Sequence, residues 1–174
     1  MVKINKKTQG KKNRAAGIRF EARVRKDLES KGWIVDKWSN NVEFIERGLL
    51  WKVGKLIPAK RKYNPFKKVM AIGTGFPDFI CFRKVTEDII KKVERFLGGY
   101  VPSTANKIKE EFRKVCDSYE VIGVEAKSNG YLDLKERAKC KWLIENNVFS
   151  KVLVAHKGKK RGEIIYKEFD SKKP

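Results

Sequence analysis

The chain has 174 residues, enough for one domain with a sizeable core, and sets 42 Lys and Arg against 21 Asp and Glu, a formal charge of +21. Such an excess calls for a polyanionic partner, nucleic acid ahead of an anionic membrane surface, because no apolar run approaches the roughly 20 residues that span a bilayer and the polar, basic N-terminus carries no signal peptide. Cys81, Cys116 and Cys140 lie far apart without zinc spacing, which points to reduced thiols in a cytoplasmic protein, and 36% charged residues with a single glutamine, Gln9, point to a hot habitat.

Residues 1–13 hold Lys3, Lys6, Lys7, Lys11 and Lys12 with almost no apolar residue, the composition of a disordered basic arm that either orders on phosphates or is a solvated tail that aids solubility. Residues 14–30 then predict a helix: Phe20, Val24 and Leu28 recur every four residues and Gly32 is a stop signal. Glu21 projects on the flank of that stripe, where it can reach an adjoining sheet; Asp27 also falls within the stripe, and a solvent-facing Glu21 paired with Arg25 is the alternative. Residues 33–38 predict a first strand. An insertion over about residues 43–72 follows, with a short strand at 49–53 closing at Gly54. Within it, Lys60, Arg61, Lys62, Tyr63, Lys67 and Lys68 form a Pro-punctuated basic stretch that suits a loop along a nucleic-acid backbone, with Tyr63 or Phe66 free to stack; a surface loop anchored by two buried aromatics has the same composition. Gly73-Thr74-Gly75 gives either the small residues that close approach to a phosphate requires or a plain turn.

Pro77 can open a strand but not occupy its middle, so Asp78 falls at a strand entrance, ahead of apolar residues 79–82. A second insertion, about residues 84–119, reads as an αα-hairpin: one helix capped by Thr86 and ended by Gly98-Gly99, another capped by Ser103 or Thr104 and running through Cys116. It can cover the sheet, clamp DNA or mediate dimerisation. Residues 121–127 predict a strand in which Ile122, Val124 and Ala126 share one face while Glu125 and Lys127 share the other, and Asp78 meets Glu125 if the two strands pair. Ser128-Asn129-Gly130 is a turn signal. The helix expected over 132–146 has Asp133 near its start, Leu134, Ala138 and Trp142 on one side, and Lys135 and Lys139 alongside. Strands at 148–155 and 163–169 close the chain, joined by a turn whose Lys159, Lys160 and Arg161 are basic enough to contact phosphate, though a solvated hairpin tip is the default. The single histidine, His156, has no partner cluster. Neither a phosphate-binding Gly-rich loop nor a Ser elbow or Cys-His arrangement is present, which argues against nucleotide-driven work and acyl transfer.

Pro77-Asp78 followed by Glu125-Ala126-Lys127, on strands in that order with a helix before and a helix after, resembles the PD-(D/E)XK nuclease superfamily, which includes many restriction enzymes and the archaeal Holliday junction resolvases. The resemblance covers the core, roughly residues 14–169, and not the segments between; the connection from Asp78 to Glu125 is longer than the hairpin usual in small resolvases. It implies an α/β, restriction-endonuclease-like core over residues 14–174, a central mixed β-sheet flanked by helices, with the helical hairpin inserted. It further implies that Asp78, Glu125 and the Ala126 carbonyl hold Mg²⁺, with Mn²⁺ able to substitute, that Lys127 assists the attacking water, and that Glu21 matches the resolvase glutamate on the first helix. By the resemblance Lys139, ahead of Lys135, would stand in for the phosphate-side Gln or Lys of the following helix, while a solvated helix face is the default reading of either lysine. The implied activity is a Mg²⁺-dependent, structure-selective DNA endonuclease acting on branched or duplex DNA, as a homodimer where two cuts need two sites. The alternatives are a non-catalytic DNA- or RNA-binding protein that keeps the nuclease fold, and a basic RNA-associated structural protein with Asp78 and Glu125 far apart. A salt bridge between Glu125 and Lys127 at a strand edge is the bland reading of the motif itself.

Overall fold

A computed structural model describes residues 6–47, 51–60, 62–64, 69–71, 75–85, 89–92, 95, 110 and 118–170. Helix α1 (Lys6–Ser30) leads into strand β1 (Ile34–Lys37), a hairpin of β2 (Asn40–Arg47) and β3 (Trp51–Pro58), and a smaller hairpin of β4 (Lys62–Asn64) and β5 (Val69–Ala71). Strands β6 (Phe79–Lys84) and β7 (Tyr119–Ala126), helix α2 (Leu134–Glu145), and strands β8 (Lys151–Lys157) and β9 (Ile164–Glu168) complete the chain. The class is α/β. A mixed five-stranded sheet has the order β1-β6-β7-β8-β9, parallel between β7 and β8 and antiparallel elsewhere.

Each face of the sheet carries its own core. On one face the α1 stripe of Phe20, Val24 and Leu28 packs on Val35, Phe79, Cys81, Ile122, Val124 and Ala155. On the other, Cys140 and Leu143 of α2 pack with Val42, Phe76, Leu132, Phe149, Val152 and Val154. Because β7 is covered on both faces its centre reads as a near-continuous apolar run; Glu120, near its start, pairs with Arg83 and Lys151, and Glu125 is the acid inside the buried part. Burial pushes the Cys81 and Cys140 thiols up to about 12, so both stay protonated and inert; Cys116 lies outside the described residues.

Several expectations are corrected. The basic segment does not stay an arm through Asn13: α1 starts at Lys6, since Lys and Gln are good helix formers and a Gln9 to Asn13 side-chain bond of 2.9 Å supports the first turns. Asp27 is not a rival for the site. It accepts a 2.6 Å bond from the Tyr166 hydroxyl and pairs with Lys31 at 2.7 Å, tying α1 to β9. Gly54 does not close a strand but lies in the middle of β3, opposite Phe44, because a Cβ there would sit 2.3 Å from the Trp142 indole. The stripe of Leu134 and Ala138 is exposed, Leu134 at 83%, and α2 buries Cys140 and Leu143 instead. Of the expected αα-hairpin only residues 89–92, 95 and 110 are described, all helical; its capping residues and glycines lie outside the described residues.

Gly75 has a firm structural reason. A Cβ would fall 2.1 Å from the Trp38 carbonyl oxygen and 2.6 Å from that of Asn40, so it is the approach of the β1–β2 link, rather than of a phosphate, that excludes a side chain here. Neither obstacle is a flexible side-chain end. Gly75→Ala is expected to destabilise the fold by about 1–3 kcal/mol, read as a lower denaturant midpoint at unchanged slope.

Candidate active site

The register of β6 and β7 builds the site. Phe79 pairs with Val124, so one step outward Asp78 stands across from Glu125. Asp78 bonds to β7 beyond the ladder: its N–H donates to Glu125 Oε2 at 3.0 Å, and its Oδ2 accepts from the Ala126 N–H at 3.0 Å. On its other side the Asp78 carbonyl accepts from the Trp38 N–H at 3.2 Å. Asp78 is thereby fixed by β1 and β7 together, and the reading that needed it far from Glu125 loses its premise.

Glu125 is 6% exposed, the buried charged residue among those described. Burial, then the neighbouring Asp78 carboxylate, pushes its pKa up to about 8, against the pull of Lys127. Burial also raises Asp78, with Glu21 adding to the rise while the Ala126 bond, Lys37 and Lys127 oppose it. Two carboxylates held this close in a dry place disfavour double ionisation. Lys127 lies 3.4 Å from Glu125 Oε1 and donates a short hydrogen bond to Glu136 Oε1. Burial works against its ammonium, but the bond to Glu136 and the charge of Glu125 outweigh it, and the pKa is raised.

Glu21 arrives from α1. Its position next to Phe20 puts it beside the sheet, where its carboxylate pairs at 2.6 Å with Lys37 rather than with Arg25. Arg25 pairs with Glu29 at 2.9 Å and donates to the Val35 carbonyl at 3.0 Å. Lys37 lies 3.9 Å from Asp78 Oδ1, so Glu21 joins the cluster through it. The cluster therefore draws Glu21 from α1, Lys37 from β1, Asp78 from just before β6, Glu125 from β7, Lys127 from just after it and Glu136 from α2.

Lys37 and Glu136 escape a reading of the sequence. Glu136 carried a signal, because Asp133 and Glu136 form a capping box at the α2 N-terminus, the Glu136 N–H donating to Asp133 Oδ1 at 2.8 Å and the Asp133 N–H to Glu136 Oε2 at 3.0 Å. The box locks the Glu136 rotamer and leaves Oε1 for Lys127. Lys37 carried no such signal.

No protein-family profile, curated protein or solved structure matches the chain. Its functional reading therefore rests on this geometry and on the charge around it.

Among the residues expected on nucleic acid, Lys60 is 78% exposed, 3.9 Å from Glu43, and Tyr63 is exposed on β4 rather than serving as a buried anchor. Lys159, Lys160 and Arg161 are exposed at the β8–β9 turn. Lys139 is half-buried, its ammonium 5.3 Å from the centre of the Phe76 ring, close in sequence to Asp78. Arg61, Lys67 and Lys68, and the side chain of Lys62, lie outside the described residues. His156 is half-buried, with Nδ1 3.1 Å from the Lys157 carbonyl oxygen.

Proposed function

We propose that this chain is a metal-dependent DNA endonuclease with a restriction-endonuclease-like core of the PD-(D/E)XK type, similar in its site to Holliday junction resolvases. The observation that carries the reading is the bonding of Asp78 across to β7, its N–H to the Glu125 carboxylate and its carboxylate to the Ala126 N–H, with Lys127 against Glu125. Burial raises the pKa of both carboxylates, with Asp78 adding to the rise at Glu125 and Glu21 to that at Asp78; both are costly as bare anions, and a divalent cation offsets that cost. The donors are hard oxygens, which suit Mg²⁺ or Mn²⁺. Asp78, Glu125 and the Ala126 carbonyl would fill only part of the coordination shell of such an ion and leave positions for water and substrate phosphate. An ion bound there supplies polarisation of the phosphate and a coordinated water of lowered pKa.

The chain's own residues do the rest. Lys127, kept charged by Glu136, offers its ammonium to the developing charge on the phosphate or to the attacking water. Glu21 lies on the opposite side of Asp78 and supports the cluster through Lys37. A surplus of 21 positive charges over the whole chain surrounds this locally acidic site, an arrangement that draws in a polyanion and leaves metal ligands where it is cut. Phosphate contacts position the duplex without reading bases, which favours selection of DNA structure over sequence. No described helix is long and apolar enough to cross a membrane. A homodimer is proposed for paired cuts, with one site per chain.

The test is cleavage of labelled four-way junction, flap, single-stranded and linear duplex DNA with Mg²⁺, Mn²⁺ or EDTA. Metal-dependent cutting of branched DNA supports the reading; binding of every substrate with no cutting under either metal would turn it into a non-catalytic DNA- or RNA-binding protein. Replacing Lys159, Lys160 and Arg161 together by Ala is expected to weaken binding alike on all sequences. The slope of log affinity against log salt should become shallower by about 2–3, as measured by fluorescence anisotropy.

A further inference from the structure

We infer that Lys37 is a built-in second cation of the carboxylate cluster, so that the site takes one divalent ion rather than two. This rests on the metal-dependent reading above and adds a stoichiometry to it. Along β1 the side chains alternate, and Lys37 falls on the same face as Val35, the face that packs against α1. Its partner in register is Phe79, so Lys37 borders Asp78 directly. From there the ammonium reaches Glu21 at 2.6 Å and Asp78 at 3.9 Å, and lies 4.7 Å from the centre of the Phe79 ring. Three contacts, one from α1 and two from the entrance of β6, hold it between the two carboxylates.

The charge pattern gives this position its meaning. Glu21, Asp78, Glu125 and Glu136 face Lys37 and Lys127: Lys127 bonds Glu136 and lies beside Glu125, while Lys37 does the same for Glu21 and Asp78. After each ammonium is matched to one carboxylate, two carboxylates remain, and once a bound cation holds both ionised their charge equals that of a single divalent ion. A two-ion phosphodiester site needs carboxylates that can be shared between metals about 3.5–4 Å apart. At this site the gap between Asp78 and the next carboxylate, Glu21, is filled by an ammonium fixed on the sheet. Lys37 thus neutralises Glu21, keeps that carboxylate at the site, and excludes a second ion from Asp78.

Titration of the full chain with Mn²⁺, followed by calorimetry and by the electron paramagnetic resonance of free Mn²⁺, tests the count without reference to cleavage. The wild type is expected to bind one ion per chain. Lys37→Met, which keeps the aliphatic stem over Phe79, should bind two, the second at least about tenfold tighter than any second ion on the wild type. Adding Glu21→Gln to Lys37→Met should return the count to one, and Lys37→Arg, which keeps the charge and guards against a misfolded Lys37→Met, should hold it at one. Two ions on the wild type, or one on a folded Lys37→Met, overturn the inference while leaving the metal-dependent reading intact. A wild type that binds none, indistinguishable from Asp78→Ala, overturns both.

Discussion

Asp78→Ala and Lys127→Ala are each expected to slow Mg²⁺-dependent cleavage by about 10³-fold or more while DNA affinity changes less than about threefold. The separation follows from where the charges lie. Asp78 and Lys127 belong to the carboxylate cluster, whereas Lys60, Tyr63 and the Lys159-Lys160-Arg161 turn are exposed elsewhere on the surface. Asp78→Ala removes the acceptor of the Ala126 N–H and one of the two carboxylates that fit a divalent ion. Lys127→Ala instead leaves both carboxylates in place, removes the ammonium, and frees Glu136 from its partner. The two variants therefore part company on metal dependence. Raising Mn²⁺ should rescue neither rate fully, but Lys127→Ala should still bind the ion and Asp78→Ala should not. Single-turnover cleavage of a labelled junction, with anisotropy for binding, measures both; an Asp78→Ala protein that cuts at the wild-type rate would sink the assignment of the site.

What the sequence could and could not disclose follows from the range of each interaction. The α1 stripe was legible because Phe20, Val24 and Leu28 repeat at the helical period with polar residues between them, so period and burial agree. Glu125 was legible for the opposite reason, as an acid inside a run otherwise built for burial on both faces. The meeting of Asp78 with Glu125 needed only that β6 pair with β7, a register that places them across from each other. Lys37 belongs to a four-residue strand with two charged residues, and nothing local marks it; its role appears only when β1 pairs with β6 and α1 lays Glu21 over that edge. The α2 face was ambiguous in the sequence because Leu134, Ala138 and Trp142 make one stripe while Cys140 and Leu143 make another. Docking on Phe149 and Val152 selects the second, and the Asp133 cap then swings Leu134 into solvent. Residue type thus located the chemistry, and tertiary register decided which additional charges serve it.

Glu125→Gln should give a protein that does not cut and yet outlasts the wild type at alkaline pH without metal. The Glu125 carboxyl has a pKa of about 8 in the fold against an ordinary value of 4.5, principally because of burial and then because of Asp78. Below pH 4.5 both folded and unfolded chains hold the proton and nothing is lost. Between pH 4.5 and about 8 the unfolded chain releases it while the folded chain keeps it, so stability falls as pH rises, and above about 8 the full penalty is in force. By linkage that penalty is on the order of several kcal/mol. Gln avoids the ionisation but offers one carbonyl oxygen where Glu125 serves both the Asp78 N–H and Lys127, which returns part of the gain. In EDTA, Glu125→Gln is therefore expected to melt above the wild type at pH 9, with the difference shrinking toward pH 6 and reversing below pH 4.5, where a neutral Glu125 keeps its bonds at no cost. Saturating Mg²⁺ should close the gap at pH 8 by stabilising the wild type alone, since an ion that binds only the folded carboxylates adds its binding free energy to the fold. Scanning calorimetry across that pH series decides the matter: a difference between the two proteins that does not vary with pH would show that Glu125 ionises normally, and the electrostatic case for a cation at this site would fall with it.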